Sequence, residues 1–369
     1  MTAYTIPRTP VNSGNIIYSN GDSFAVAQLG PDKFIMVFQQ DSPRHILGSI
    51  VDTSSGTPVA GPTQSIIDLS GFGITRNLFG FSLAPLTPNQ VVFLWYDDTS
   101  NSNETLEVFL LDIDPSNNIT LNNAWAIANA LFSSSPKYAV VPKNSSEARI
   151  FFQTFTPTDW NLALADFSSG FSLTNVIEIL NDPNINSDTN YVKFSPIPGT
   201  EEGYALISQD NIDYVYRVDS ANNWTQLHQP AFTARFSDLV TLSSSKVAVL
   251  SDNSLLVSYD SGNTWTRTDF TQNTPNRINI ALRIDNNTLL TIKSSNDAFT
   301  RNIGVYTYHV GDKIIPNVNG EQLITSGVPG FGAEDNHFFQ RNLFLHSPTR
   351  MSYWYIDSNQ FVCDIFSTV

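Results

Sequence analysis

The composition of the 369-residue chain indicates a folded, acidic protein. Hydrophobic residues make up 41% of the sequence, which is enough for a sizeable core and excludes a disordered chain. The net charge of −15 makes nucleic acid an unfavourable partner, and adsorption to anionic membranes is disfavoured for the same reason.

Cysteine content and apolar runs restrict the chain further. A single cysteine, Cys363, excludes a disulfide within the chain and a thiolate metal cluster, and its apolar surroundings predict a buried side chain. The first residues lack the pattern of a secretory signal, and no apolar run is long enough to insert into a membrane. Localisation therefore stays unknown. An extracellular or virion-surface protein of this kind would leave the cell by lysis or within a particle.

Alternating apolar and polar residues predict short β-strands along the whole chain. These strands are rich in Val, Ile, Phe, Tyr and Thr, and clusters of Gly, Pro, Asn, Asp and Ser separate them. In chain order they span residues 23–29, 34–39, 45–51, 91–96, 105–111, 149–155, 214–218, 246–251, 255–259, 302–308 and 351–356. One short segment, residues 124–132, has a helical pattern instead. Many short strands with regular turns predict a sandwich, a barrel or a propeller.

An aspartate recurs after predicted strands and before turns rich in Ser, Asn and Gly. Its carboxylate is expected to accept hydrogen bonds from backbone amides of the turn that follows. The positions are Asp52, Asp114, Asp166, Asp219, Asp260, Asp312 and Asp357. Their separations run from 41 residues (219 to 260) to 62 residues (52 to 114), close to the roughly 40 to 50 residues of a four-stranded propeller blade. We therefore predict an all-β chain, a seven-bladed β-propeller of four-stranded antiparallel blades. Six blades is the alternative, because Asp312 fits least well.

The fifth of these segments contains a defined motif. Residues 258–265 read Ser-Tyr-Asp-Ser-Gly-Asn-Thr-Trp and fit the Asp-box, Ser-x-Asp-x-Gly-x-Thr-Trp, at every defined position. The fourth segment keeps Asp219 and Trp224 at the same spacing, but Ala and Asn replace the Gly and Thr of the box. The chain thus resembles the sialidase-like Asp-box (BNR-repeat) β-propellers, as a non-catalytic member. The resemblance implies that both tryptophans pack between strands or blades. It also implies a structural role at the blade periphery for seven residues: Ser258, Asp260, Gly262, Thr264, Trp265, Asp219 and Trp224.

The two ends of the chain are expected to close the ring. In many propellers an amino-terminal segment pairs with the last blade, and residues 2–5 alternate suitably for this pairing. The strand predicted at residues 361–366 would be its partner. We therefore expect one domain, residues 1–369, without a linker.

Ligand-binding residues are expected on one face of the ring. The loops that enter each innermost strand, and those that join the second and third strands, converge there. Aromatic side chains on these loops can stack on sugar rings, with Trp95 among them, and arginines can hold a carboxylate. The candidate ligand-binding residues are Arg76, Tyr96, Trp160, Arg235, Arg277 and Phe331.

The sequence assigns no catalytic residue. A sialidase needs three arginines around a carboxylate, a tyrosine nucleophile with a glutamate partner, and an aspartic acid. The Arg-Ile-Pro signature of that family is missing, and the late blades contain no clear Tyr–Glu pair. The five histidines lack metal-binding spacing, so we expect neither a metal nor a cofactor.

Three functions are consistent with the sequence. The surface is rich in Asn, Ser and Thr, which favours a non-catalytic adhesion propeller that binds a surface glycan or a protein receptor, as virion or phage-tail components do. The second interpretation is a sialidase-like glycoside hydrolase. The third is a structural propeller that docks into a larger protein assembly.

Overall fold

The fold is seen in a computed structural model that is almost entirely β. The described residues are 4–5, 8–10, 24–41, 44–72, 79–97, 105–127, 138–155, 160–170, 173–180, 189–209, 212–227, 238–250, 254–269, 276–295, 301–310, 317–328, 343–357 and 360–368. They form thirty strands, β1 to β30, and one short 3-10 helix, Leu69–Phe72. No helix in these ranges is long and apolar enough to cross a membrane.

Strands that follow one another in the chain pair antiparallel, which gives the described part of the chain seven sheets. Sheet 1 contains β3 (Phe24–Gly30), β4 (Lys33–Asp41), β5 (Arg44–Asp52), β6 (Val59–Ala60) and β7 (Gln64–Asp68). Sheet 2 contains β8 (Phe79–Thr87), β9 (Gln90–Asp97), β10 (Thr105–Ile113) and β11 (Ile119–Ile127). Sheet 3 contains β12 (Tyr138–Pro142), β13 (Glu147–Phe155), β14 (Trp160–Ser168) and β15 (Leu173–Leu180).

The remaining sheets repeat this order. Sheet 4 contains β16 (Thr189–Pro196), β17 (Gly203–Gln209), β18 (Ile212–Val218) and β19 (Trp224–Gln226). Sheet 5 contains β20 (Asp238–Thr241), β21 (Val247–Leu250), β22 (Ser254–Ser258) and β23 (Thr266–Asp269). Sheet 6 contains β24 (Asn276–Asp285), β25 (Thr288–Ser295), β26 (Arg301–His309) and β27 (Asn317–Val328). Sheet 7 contains β28 (Leu343–Ser347), β29 (Arg350–Asp357) and β30 (Gln360–Thr368), together with β1 (Tyr4–Thr5) and β2 (Arg8–Pro10).

The middle strands are apolar on both faces because each sheet packs between two others. On β4, Phe34 and Met36 join a core cluster with sheet 7, while Ile35 and Val37 join a cluster with sheet 2. Successive side chains of a strand point to opposite faces, so a continuous apolar run supplies two interfaces at once. The core therefore consists of separate layers between neighbouring sheets.

The first strands of the sheets lie side by side around a centre. Along the chain, β3 contacts β8, and the contacts continue through β12, β16, β20 and β24 to β28. The series returns to its start where Gln28 Nε2 on β3 donates a hydrogen bond to the Leu345 carbonyl on β28, at 2.9 Å. Each first strand is thus the innermost strand of its sheet.

The amino-terminal strands belong to the last sheet. Tyr4 on β1 is opposite Thr368, and Arg8 on β2 is opposite Asp364, both on β30. β1 overlaps the segment expected to make this pairing. Cys363, also on β30, is fully buried, as predicted from its apolar surroundings.

The predicted helix at residues 124–132 is wrong for its described part. Residues 124–127 continue β11, where Ala124 is opposite Phe109 on β10. Pairing with β10 satisfies the backbone of this segment, and such tertiary pairing overrides a short local helical pattern. Residues 128–132 lie outside the described residues.

Candidate functional site

The six expected ligand-binding residues fall at one end of the sheets or outside the described residues. Arg76, Arg235 and Phe331 lie outside them. For the other three the structure describes the backbone alone: Tyr96 is the penultimate residue of β9, Trp160 begins β14 and Arg277 is the second residue of β24. In each antiparallel sheet, successive strands run in opposite directions. The end of the second strand therefore lies at the same end of the sheet as the beginnings of the first and third strands. The three positions therefore share one end of the ring, called the loop face here.

Trp95 is not a loop aromatic, contrary to the sequence interpretation. Its side chain is 1% exposed, and its ring centroid lies 4.1 Å from that of Phe109. Phe81 and Phe93 pack against the same indole. Alternation along β9 directs the Trp95 side chain into the core between sheets 1 and 2, so it is unavailable for stacking on a sugar.

The Asp-box of sheet 5 folds as a hydrogen-bonded turn at the opposite end of the ring. Asp260 accepts two bonds from Thr264, one from the backbone N–H at 2.8 Å and one from the hydroxyl at 2.6 Å. Ser258 Oγ donates to Asp260 at 2.8 Å and accepts from the Gly262 N–H at 2.7 Å. The bonds from Thr264 are the main cause that lowers the pKa of Asp260, since they favour the ionised carboxylate.

Two further turns contain the same pair of hydrogen bonds to an aspartate, with asparagine in place of threonine as the donor. Asn223 donates its backbone N–H and its side-chain amide to Asp219, both at 2.8 Å. Asn118 does the same to Asp114, at 2.8 and 2.7 Å. From the sequence, Asn223 was expected to mark a departure from the motif, and the Asp114–Asn118 pair was not expected. The signal that identifies both is Asp-x-x-x-Asn.

The seven aspartates are not equivalent. Asp52 accepts the Ser54 N–H at 2.7 Å in a shorter turn, and Asp312 lies outside the described residues. Asp166 is fully buried within β14 and pairs with Lys143 at 2.7 Å, so it does not close a turn. Asp357 ends β29, the second strand of sheet 7, and thus lies at the loop face. In sheet 7 the pairing of β1 and β2 with β30 replaces the usual fourth strand.

Both motif tryptophans pack between sheets. The indole of Trp265 donates to the Gly262 carbonyl at 3.0 Å and packs with Leu227 against the core between sheets 4 and 5. The ring of Trp224 lies 5.8 Å from Phe151 of sheet 3 and 5.6 Å from Tyr216 of its own sheet. Neither indole is presented as a platform for a ligand.

A chamber of about 320 Å³ lies between the innermost strands. Its walls come from β3, β8, β12, β16 and β28, with Gln28, Leu83, Val141 and Phe344 among the half-buried side chains that line it. The lining reaches Pro142, the last residue of β12, where the turn to the second strand begins. The chamber therefore extends toward the end of the ring that carries the Asp turns, called the turn face here.

Polar side chains connect the innermost strands beside this chamber. Ser195 Oγ accepts the Thr241 N–H at 2.8 Å, which joins sheets 4 and 5. Lys193 Nζ lies 3.7 Å from Asp238 Oδ1 across the same pair of sheets. Among the residues that the structure describes, no cluster of three or more His, Cys, Asp or Glu side chains is arranged to hold a metal ion.

Comparison with known proteins identifies the fold. No protein-family model matches the chain, and no curated protein has a similar sequence. Among solved structures, the chain is similar to virginiamycin B lyase from Staphylococcus aureus, with 9% identity, a TM-score of 0.53 and 100% of both chains covered. It is also similar to an α-L-arabinanase from Penicillium chrysogenum complexed with arabinobiose, with 11% identity, a TM-score of 0.51 and 85% and 100% of the two chains covered.

A third similar structure is an oligogalacturonate lyase in complex with manganese, with 8% identity, a TM-score of 0.53 and 99% and 96% of the two chains covered. These proteins are β-propellers. At such low identities the similarity concerns the fold alone, and the chain accordingly has a β-propeller fold.

Proposed function

We propose that the protein is a seven-bladed β-propeller that binds a carbohydrate on its loop face and does not cleave it. The observation that carries this proposal is the position of Tyr96, Trp160 and Arg277, whose backbones come from three different sheets and share one end of the ring. Aromatic rings can stack on a sugar, and a guanidinium can donate several hydrogen bonds to it. The ligand in this proposal is a surface glycan, carried by a cell or by a receptor.

The blade count in this proposal is supported by the sheets. The described strands form seven sheets, and their innermost strands contact one another in sequence order until Gln28 meets Leu345. Pairing of β1 and β2 with β30 supplies the outer part of sheet 7. The whole chain then makes a single domain in which the two ends share one blade.

The non-catalytic part of the proposal is supported by the sequence. It lacks the Arg-Ile-Pro signature and a clear Tyr–Glu pair, which sialidase chemistry would require. Some charged side chains of the described residues form ion pairs, such as Lys143 with Asp166 and Arg350 with Asp32. These groups have structural partners at the turn face and are remote from the loop face.

A glycan array with the full chain tests the proposal. Each spot is read for retained protein and for loss of its terminal sugar, and the comparison is between the wild type, Trp160→Ala and Val59→Ala. Val59, on the outer strand β6, is 57% exposed and serves as a surface control. We expect binding to intact glycans by the wild type and the control, and loss of binding by Trp160→Ala.

Each other result would change the interpretation. Removal of a terminal sugar would replace the proposal with a glycoside hydrolase. Equal binding by Trp160→Ala and the wild type would move the site away from the loop face. Absence of both signals would exclude a glycan ligand and leave the structural propeller of a larger assembly as the function to pursue.

A further inference from the structure

We infer that the chamber between the innermost strands is a separate binding site for a small neutral sugar, about one ring in size. Its lining residues differ from those of the proposed loop-face site, so it does not depend on that proposal. Its chemistry follows from three properties of the described chamber: the backbone that lines it, its balance of charge and its volume.

The first property is the supply of backbone hydrogen-bonding groups. In the described structure each innermost strand pairs with a second strand on one side: β3 with β4, β8 with β9, β12 with β13 and β16 with β17. The other edge of each strand faces the centre, and every second residue there presents an N–H and a C=O. Ser82 Oγ of this lining accepts the Val140 N–H at 3.4 Å.

The backbone polar groups of these inner edges disfavour a purely apolar ligand. A hydrocarbon in the chamber would remove the inner edges from water without giving them hydrogen bonds, which is costly for each group. A ligand with several hydroxyl groups can both donate to the carbonyls and accept from the N–H groups. The apolar side chains between them, such as Leu83, Val141 and Phe344, would contact the C–H face of a sugar ring.

The second property is charge. Among the described residues that line the chamber, Lys193 is the one charged residue, and its ammonium lies 3.7 Å from Asp238 Oδ1, with both side chains buried. An anionic ligand would therefore compete with an existing carboxylate, and a cationic ligand would find no carboxylate among the described residues of the lining. Burial of an unpaired charge is strongly unfavourable, so the chamber favours a neutral molecule.

The third property is size. Ligand pockets for drug-sized molecules span roughly 300 to 1,000 Å³. The chamber, at about 320 Å³, lies at the lower limit of this range. It therefore suits one sugar ring and not an oligosaccharide, and an oligosaccharide could enter with its terminal residue alone.

Saturation-transfer NMR on the full chain tests this inference. The neutral probes are D-galactose and D-glucose, and the charged probes are D-galacturonate and N-acetylneuraminate. Leu83→Trp fills the chamber from β8, and Val141→Trp fills it independently from β12, in case one variant is unstable. Val59→Trp adds the same side chain on an outer strand as the matched control. A thermal melt establishes that each variant is folded.

We expect a neutral probe to receive saturation from the wild type and from Val59→Trp, and to lose it with both chamber variants. Transfer of equal strength from the folded chamber variants would overturn the inference, as would absence of transfer to both neutral probes or stronger transfer to a charged probe.

The two proposals fail in distinguishable ways. If Trp160→Ala abolishes transfer to the neutral probes, the sugar binds at the loop face, which overturns the chamber and leaves the proposed function standing. If no glycan on the array binds the protein while Leu83→Trp still abolishes saturation transfer to the neutral probes, the proposed function fails and the chamber is supported as a sugar site.

Discussion

Lys193 Nζ lies 3.7 Å from Asp238 Oδ1, and this ion pair joins the innermost strands of sheets 4 and 5. The two side chains are 4% and 0% exposed. The Asp238 carboxylate also accepts the Leu239 N–H of its own strand at 2.8 Å and the Ala281 N–H of sheet 6 at 2.7 Å. One carboxylate therefore connects three consecutive sheets close to the centre of the ring.

Removal of this carboxylate is expected to destabilise the ring strongly. Asp238→Ala should lower the free energy of unfolding by about 3 to 5 kcal/mol, because it removes the carboxylate that faces the buried ammonium and that accepts two backbone N–H groups. Urea denaturation measures the change. The control is Asp269→Ala, whose partner Arg267 lies 2.6 Å away in a pair with side chains 67% and 49% exposed. The control should cost less than about 1 kcal/mol, and an equal loss in both variants would contradict this prediction.

Much of the fold could be predicted because its signals are local. Alternation along β5 and β29 and the aspartate at the end of β5 are all readable within a few residues of sequence. The hydrogen bonds at Asp219 and Asp260 were predicted for the same reason, since donor and acceptor are four residues apart. Local signals of this kind determine strands and turns, and their repetition determines the architecture.

The remainder depends on partners that are distant in sequence. The segment around Asp166 resembles the other turn segments, but Lys143 from the turn after β12 and Arg149 from β13 hold the aspartate inside the sheet. The burial of Trp95 also depends on another strand, because its ring packs against Phe109 of β10. The chamber could not be predicted either, because five strands spread over most of the chain contribute to its walls.

Gly262 is expected to tolerate no side chain. Its φ is +91°, a conformation that L residues rarely adopt, and a Cβ at this position would lie 2.3 Å from Leu227 Cδ1. Gly262→Ala should therefore lower the free energy of unfolding by about 2 to 5 kcal/mol, from backbone strain and overpacking together. A thermal or urea unfolding experiment measures the loss.

The matched control for Gly262 is Gly199→Ala. Gly199 has a similar φ of +78°, but no atom lies within 4 Å of the added Cβ. The control should therefore show backbone strain alone, about 1 to 2 kcal/mol. The difference between the two variants reports contact with Leu227, so Leu227→Ala should recover part of it in the double variant. Equal losses at both glycines would show that the contact is unimportant.

Asparagine and threonine are expected to be interchangeable at the end of an Asp turn. Asn223 and Thr264 each donate a backbone and a side-chain bond to the preceding aspartate. Asn223→Thr should therefore keep the unfolding free energy close to that of the wild type, whereas Asn223→Ala should lower it by about 1 kcal/mol through loss of the side-chain bond. If both variants unfold at the same denaturant concentration, the side-chain bond contributes nothing.

The seam between sheets 7 and 1 is expected to weaken in mild acid. His346 Nδ1 lies 3.2 Å from Asp32 Oδ1 and 3.3 Å from Thr53 Oγ1, and Arg350 donates to the same Asp32 oxygen at 2.7 Å. Phe34 packs on the imidazole, and His346 Nε2 is buried without a hydrogen-bond partner. Burial lowers the pKa of His346 below its ordinary value of 6.5, and this effect outweighs the attraction of Asp32.

The sign of the pH effect follows from this lowered pKa. The unfolded chain takes up the proton at a higher pH than the folded chain. The contribution of neutral His346 to the free energy of unfolding is therefore complete above pH 6.5, and it is lost as the pH falls toward the folded pKa. The free energy of unfolding should fall by up to about 1.4 kcal/mol per pH unit in this interval. Denaturation is measured between about pH 7 and about pH 5, because the carboxylates of the Asp turns titrate at lower pH and do not contribute to the slope there. His346→Gln should flatten this slope, while His309→Gln, at an exposed position, should keep it. An unchanged slope in His346→Gln would assign the acid sensitivity to another group.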